Sequence, residues 1–561
     1  MKSESAQGRG LSRRDLLQGA LAVAGAAAIP KGAHAQAPAS EPAARPAPLG
    51  GAASGPIFHT VETTSGKVQG MSIGPIKMFK GIPYGAPTSG KNRFMPPAKP
   101  TPWTGVREAY DFGPISPQTF SDPRGEYGRL IMWDRHVGGM GEDCLTLNVW
   151  TPAVNDPVGR PVLVSFHGGG FATGSGNGPG FDGAEMALYG DVVVVTVNHR
   201  LAALGYTFLA GMGAPPEFQY AGVCGLLDLV ASLEWVRDNI ARFGGDPSHV
   251  MIYGQSGGGA KTTAVLAMPK AKGLFHAAAV QSGSSLRLST PESGTQAAEA
   301  LLKQLGLSKG RVAEIQKLPW QQILEAQTAI GGGIRGGRFS PVVGSDALPS
   351  HPWDPTAPEV SAYIPIIVST TLEDAALALT NFDLDETGLK AALNQRYAGK
   401  GDEIVALYRK HYPKKSPYLI QAQVGTDAGF RRSAVTQAER KSAQGKAPVY
   451  MYQWDWETPA YGGKFGAIHG IDVAASFHNV REPFFAGQKE AKLMCDRLAS
   501  VWVAFAKTGN PNNPQIPTWP AYEPTQRATM VFNNETRVEN NPRAEIMDFW
   551  AKMPPPLSPL G

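Results

Sequence analysis

The stretch Val250-Met251-Ile252-Tyr253-Gly254-Gln255-Ser256-Gly257-Gly258-Gly259 leaves this chain few folds to adopt. Val250 to Tyr253 are β-branched, apolar or aromatic, the composition of a short buried strand. From Ala260 to Met268 the sequence turns into an apolar, alanine-containing helix start. Between the two, Gly254 and Gly258 bracket Ser256 at two residues on either side. A strand that passes into a helix through so sharp a turn holds its central residue at a strained φ/ψ, and glycines at the flanks avoid the resulting clashes. The serine then stands at a helix N-terminus, where backbone N–H groups stabilise a developing anion. In a chain with 66 glycines the bare Gly-x-Ser-x-Gly pattern is weak evidence; the strand before it and the helix after it give it meaning.

The flanking pattern agrees. Val162 to Phe166 and Val192 to Val197 are continuous apolar runs of strand length, as expected for parallel strands covered on both faces. Leu226 to Phe243 repeats apolar residues at helical spacing and stops at Gly244-Gly245. Strand, helix and strand leading to the Ser256 turn predict an α/β fold with a mostly parallel sheet. Upstream, Phe58 to Thr63, Lys67 to Met71 and Ile76 to Phe79 are β-like and separated by Ser65-Gly66 and Gly74-Pro75, which predicts a small antiparallel hairpin arrangement. Segments from about 286 to 340 and 376 to 445 are more polar and helical. The glycines between Gly331 and Gly337 lack the Gly-Lys-Ser/Thr ending of a phosphate loop, so a flexible hinge is expected there.

The first 35 residues have the form of an export signal. Ser12-Arg13-Arg14-Asp15-Leu16-Leu17 is a twin-arginine pattern, Leu16 to Ile29 is free of charge, and Ala33-His34-Ala35 is a small-x-small cleavage site. The apolar run is shorter than the ~20 residues a membrane span needs, so no stable membrane anchor is expected. This route implies export by the twin-arginine machinery and a periplasmic or secreted bacterial product. Residues 36–56, rich in Ala, Pro and Gly, read as a disordered linker, and 57–555 as one domain. The formal charge of +5 is misleading: residues 1–35 carry five cations against two anions, leaving +2 for the remainder. Without a basic stripe, nucleic-acid binding has no electrostatic support. Cys144, Cys224 and Cys495 are too few for a disulfide framework and are not spaced as metal ligands.

Longer motifs carry a resemblance. Phe79-Lys80-Gly81-Ile82-Pro83-Tyr84-Gly85, Arg93 to Pro97 and Gly141 to Trp150 resemble the type-B carboxylesterase family, which includes bacterial para-nitrobenzyl esterases and the cholinesterases. Further matches are Trp235 to Pro247, Gly273-Leu274-Phe275, Trp502 to Pro511 and Trp519 to Tyr522, and the likeness runs almost continuously to Phe549. The resemblance implies an α/β-hydrolase fold with helical lid insertions over the active site. It also implies a serine carboxylesterase acting on a small-molecule ester, with no metal or organic cofactor.

Acyl transfer by serine needs a base, an orienting acid and donors for the tetrahedral oxyanion. Phe166-His167-Gly168-Gly169-Gly170-Phe171 directly follows an apolar strand. By resemblance, the N–H groups of Gly169 and Gly170 join that of Gly257 in an oxyanion hole. A three-glycine hole leaves room beside the acyl carbonyl, a feature that accompanies tolerance of bulky and tertiary alcohol esters in the wider hydrolase class. The chain order Ser, acid, His leaves His276, His351, His411, His469 and His478 as bases. His469, in Gly466-Ala467-Ile468-His469-Gly470-Ile471-Asp472, matches the family's histidine motif, whereas His478 is expected to be structural. Ile366 to Ala375 aligns with the segment that carries the family's acid; its catalytic slot falls on Asp374, with Glu373 one residue earlier as the competing choice.

Three departures from the family stand out. Gln255 replaces the usual glutamate before the nucleophile, which disfavours cationic, choline-type substrates. Cys144 lacks its usual upstream partner and is expected to be a buried free thiol, and Cys224 replaces a residue that is usually Asn. An amidase or carbamate hydrolase would use the same apparatus. A non-catalytic binding protein on this fold would have lost a triad residue, whereas here all three slots hold competent side chains.

Overall fold

The computed structural model describes residues 56–120, 126–131, 137–331 and 338–554. The expected signal segment, nearly all of the linker and most of the glycine hinge lie outside these residues.

The architecture is an α/β-hydrolase fold on one large twisted sheet. Its strands are β1 (Phe58–Thr63), β2 (Gly66–Ile73), β3 (Ile76–Pro83), β4 (Val106–Glu108), β5 (Thr146–Thr151), β6 (Arg160–Phe166) and β7 (Val193–Val197). The second half contributes β8 (Gly245–Gln255), β9 (Ala277–Gln281), β10 (Ile366–Thr371), β11 (Val449–Trp454), β12 (Ala528–Phe532) and β13 (Arg537–Asn540). The spatial order is β1-β2-β3-β5-β7-β6-β8-β9-β10-β11-β12-β13, with β4 beside β2. From β7 to β12 every pairing is parallel, and antiparallel strands extend both ends. The N-terminal hairpins and the parallel centre are as the sequence pattern implies.

The continuous apolar runs follow from burial on both faces. In β6, Val162, Val164 and Phe166 enter one core while Leu163 enters the other. In β7, Val193, Val195 and Val197 alternate in the same way with Val194. Side chains of successive strand residues point to opposite faces, so an apolar residue is needed at every position. Helix Cys224–Asn239 covers the first face through Leu226, Leu229, Leu233 and Val236. It tightens into a 3-10 turn, Ile240–Phe243, and stops at Gly244 with φ +74°. Helix Glu490–Thr508 covers the second face through Met494, Leu498, Trp502 and Phe505.

The polar segments are helical as expected: Pro291–Gln304 and Trp320–Ala329 in one, and four helices between Glu386 and Ala443 in the other. The last two of these join through a π-helical turn, Thr426–Arg431. All three cysteines are free and buried. Cys224 gains a structural explanation here. It opens its helix beside the buried Arg200–Asp228 ion pair (2.6 Å) and directs its thiol at the carbonyls of Met95 and Tyr220, both at 3.3 Å. Burial pushes the Cys144 and Cys224 thiols up to about 12, which keeps them protonated and unreactive.

Candidate active site

Strand β8 ends at Gln255 and helix Gly257–Val265 begins two residues later, so Ser256 carries the whole reversal of direction. Its φ of 60° and ψ of −123° lie outside the regions ordinary residues prefer. The turn is fixed from both sides: Ser256 N–H donates to the Gln281 carbonyl (2.8 Å), and its own carbonyl accepts from Ala260 N–H (2.9 Å). A Cβ on Gly254 would lie 2.5 Å from the Phe166 carbonyl oxygen, and one on Gly258 would overlap the same oxygen. Both glycines are therefore demanded by the approach of this turn to the end of β6.

The glycine loop leaves β6 at that point. Gly169 adopts φ +86°, and a Cβ there would overlap the Thr173 carbonyl. Its own carbonyl accepts from Thr173 N–H (3.1 Å), which curls the loop back on itself. At the far end Gln118 accepts from Gly174 N–H (2.7 Å) and donates to the Gly174 carbonyl (2.9 Å). A Cβ on Gly257 would fall on the backbone of Gly170, so the loop and the helix start meet backbone to backbone. Among the described residues neither Gly169 nor Gly170 donates its N–H to another backbone group. Gly257, as the first helical residue, has no intrahelical acceptor. These donors remain for an anion beside Ser256.

His469 sits on the turn before helix Ile471–Ser476. Its Nδ1 meets Asp374 Oδ1 at 2.6 Å, and Asp374 Oδ2 accepts from Thr371 N–H at 3.0 Å. The imidazole is thereby held with Nδ1–H towards the acid and Nε2 pointing elsewhere. Nε2 is buried and finds no hydrogen-bond partner among the described residues, Ser256 included. A bond between serine and base commonly tightens only when substrate is present. The Phe430 ring, carried by the π-helical turn, lies 5.4 Å from the imidazole, and Tyr127 OH donates to the His469 carbonyl (3.1 Å).

The competing carboxylate has a different task. Glu373 Oε2 accepts from Ala467 N–H (2.7 Å), two residues before His469, while Oε1 accepts from Lys415 and Gln423, both at 2.8 Å. The Glu373 backbone N–H donates to the Ala467 carbonyl (3.1 Å) as well. Neighbouring carboxylates thus divide the work: Asp374 meets the ring and Glu373 anchors the loop that carries it.

Sequence reasoning missed Gln281. Its carbonyl takes Ser256 N–H, and its side chain donates to Tyr452 OH and Asp472 Oδ2, both at 3.0 Å. The only signal was a polar residue closing the apolar strand Ala277–Gln281. Tyr452 OH also donates to Asp472 Oδ2 (2.7 Å), so one residue ties the serine turn to the helix after His469. Burial pushes the Asp472 carboxyl up to about 6, helped by the nearby Asp374 charge. Gln255 is buried with Nε2 unpartnered among the described residues, and no charge stands at that position. His478 pairs with Asp496 (2.7 Å) and stacks on Tyr189, while His411 pairs with Glu545 near the surface. Among the described residues no cluster of His, Cys, Asp or Glu is arranged to hold a metal ion.

Comparison with known proteins agrees with this geometry. The sequence model of the carboxylesterase family matches residues 58–550. The para-nitrobenzyl esterase of Bacillus subtilis (strain 168) is 34% identical over 505 residues, which span 87% of this chain and 98% of that protein. The phenmedipham hydrolase of Pseudarthrobacter oxydans is 33% identical over 500 residues, 86% of this chain and 95% of the relative. Among solved structures, a Geobacillus stearothermophilus carboxylesterase superposes with a TM-score of 0.75 at 33% identity, covering 88% of this chain and 99% of its own. An esterase from Clostridium hathewayi that can hydrolyse aliphatic aromatic polyesters has the same TM-score at 32% identity, over 88% of this chain and 98% of its own.

Two outcomes are expected from this geometry. Gly169→Ala forces the loop off the Thr173 carbonyl and removes one anion donor, lowering kcat for ester hydrolysis by about 10²–10³-fold; steady-state kinetics with a chromogenic ester reads this. The second concerns pH. Asp472 titrates higher in the folded protein (about 6) than its ordinary 3.8, so its ionisation opposes folding, and the native state loses stability as pH rises from 3.8 to about 6, with the loss complete above that. Asp472→Asn keeps an acceptor for Tyr452 and Gln281 but no charge. Its Tm relative to wild type should be higher at pH 8 than at pH 4, as thermal melts at the two values will show.

Proposed function

The chain belongs to the carboxylesterase family and is a serine hydrolase of carboxylic esters, and we propose that it works through an acyl-enzyme formed on Ser256. In this reading Ser256 Oγ attacks the ester carbonyl while His469 Nε2 takes its proton. Asp374 holds the imidazole in the required tautomer and stabilises it once protonated. The N–H groups of Gly169, Gly170 and Gly257 receive the oxyanion. His469 then returns the proton to the departing alcohol, activates a water by the same nitrogen, and the acid is released. The observation that carries this assignment is the His469 ring: Nδ1 is fixed by Asp374 at 2.6 Å, and Nε2 is buried without a partner.

Two further points complete the reading. Esters of bulky alcohols, para-nitrobenzyl esters among them, are the proposed substrate class. A Cβ built on Gly170 meets nothing within 4 Å, which supports open space beside the acyl carbonyl. Residues 1–35 are proposed as a twin-arginine export signal, 36–56 as a linker and 57–555 as the catalytic domain, giving a periplasmic or secreted enzyme; the support is the Arg13-Arg14 pattern and the Ala33-His34-Ala35 site.

The test is hydrolysis of p-nitrophenyl esters from acetate to octanoate, together with a tert-butyl ester, by wild type and Ser256→Ala. Burst kinetics in wild type and a loss of at least ~10³-fold in the variant are expected. Turnover surviving in Ser256→Ala would overturn the assignment of the nucleophile, and a tert-butyl ester left intact would overturn the alcohol preference. For export, replacing Arg13 and Arg14 by Lys in the full chain should retain the protein in the cytoplasmic fraction; unchanged periplasmic recovery would remove the twin-arginine reading.

A further inference from the structure

Lys261 is the anomaly of this molecule. It lies in the second turn of the helix that Ser256 opens, and it is fully buried. Lysine is almost never fully buried unless it is paired with an anion. Among the described residues no carboxylate reaches its amine, whose single hydrogen bond goes to the His167 carbonyl at 2.8 Å. The nearby ionisable groups are basic: His167, and His199, whose ring lies 4.7 Å from that of His167 and whose two ring nitrogens find no partner among the described residues. Burial drives the Lys261 amine and the His199 ring well below their ordinary pKa values, so these two groups stay neutral.

An apolar side chain would sit in such a site at lower free-energy cost, because a buried amine gives up its hydration for one bond. The position of that one bond is informative. His167 is the first residue beyond β6, and its carbonyl is the last backbone acceptor before Gly168, Gly169 and Gly170. Three glycines in a row have no side chains to hold them in place, and two take positive φ. The far end of the loop is tied by the paired bonds of Gln118 to Gly174. At its near end the His167 ring meets the Gly168 carbonyl (2.9 Å), and the Lys261 amine ties the His167 carbonyl to the helix whose first residue, Gly257, meets the backbone of Gly170.

We propose that Lys261 is a positioning residue for the oxyanion hole: its amine clamps the His167 carbonyl and so fixes the Gly168–Gly170 loop against the helix that carries Ser256. The clamp makes the distance between two donor sets, the loop amides and the Gly257 amide, a property of one helix. This rests on the assignment of Ser256, Gly169, Gly170 and Gly257 made above.

The experiment compares wild type, Lys261→Met and Lys261→Gln, using p-nitrophenyl butyrate turnover and inhibition by an alkyl trifluoromethyl ketone. The ketone carbonyl accepts the serine oxygen, with its proton passing to the base, and becomes an alkoxide in the oxyanion hole, so its affinity reads the hole directly. Lys261→Met should lower kcat by about tenfold or more with KM within twofold, and raise the ketone Ki by the same factor. Lys261→Gln, which retains an N–H donor, should recover part of both losses. An unchanged ketone Ki in Lys261→Met of wild-type Tm overturns the proposal, as does a Lys261→Gln variant that folds yet resembles Met in both readouts. Should Lys261→Met fail to fold, Lys261→Gln decides: kcat and Ki shifting together supports the clamp, and kcat falling at constant Ki overturns it. Failure of the underlying reading looks different, since Ser256→Ala would then keep its turnover whatever Lys261 does.

Discussion

Two backbone segments press against each other at the centre of this protein, and most of the site follows from that contact. The carbonyl of Phe166, at the end of β6, occupies the space where side chains on Gly254 and Gly258 would begin. Because β6 and β8 are paired in parallel from Val162–Val250 to Phe166–Gly254, their ends reach the same level of the sheet. The chain leaving β6 becomes the glycine loop, and the chain leaving β8 becomes the serine turn. With no side chain between them, amides from both segments can face one small volume. Strain at Ser256 is borne by the elements on either side, the strand that ends at Gln281 and the helix that contains Ala260, each of which holds the turn by one backbone hydrogen bond.

The histidine is held by separate means. It belongs to a loop beyond β11, far from the serine in sequence, and two buried polar side chains bring it into register. Glu373 grips the loop at Ala467 and is itself neutralised by Lys415 at 2.8 Å. Gln281 reaches from the serine turn to Asp472, in the helix that starts just after His469. Buried polar groups stabilise one arrangement over its neighbours only when their partners are satisfied, and both side chains here have theirs. Which carboxylate meets the ring is a matter of direction: Asp374 and Glu373 are adjacent, but Asp374 faces the His469 ring and Glu373 the loop at Ala467.

Much of this was legible in the order of residues. The strand–turn–helix around Ser256, the apolar runs of β6 and β7 and the stop at Gly244 reflect local rules: steric limits on φ/ψ, the two-residue period of strands and the 3.6-residue period of helices. His469 was readable through its motif, and so was the segment holding the acid. The choice between Asp374 and Glu373 stayed open because sequence gives position along a strand end and says nothing of which carboxylate turns inward.

Gln281, Lys261 and Tyr452 carried almost no signal, since a single polar residue in an apolar segment has no period and no partner until the chain is folded. The sequence by itself determined the elements, the parallel sheet and the presence of a serine, a glycine loop and a histidine suited to one chemistry, because these depend on neighbours a few residues away. Only the tertiary structure decided which side chains hold those pieces together: Glu373 to Ala467, Gln281 to Asp472, Lys261 to His167. Those contacts join residues from 94 to 191 positions apart, and their geometry exists only once packing has excluded the water that would otherwise satisfy each group alone.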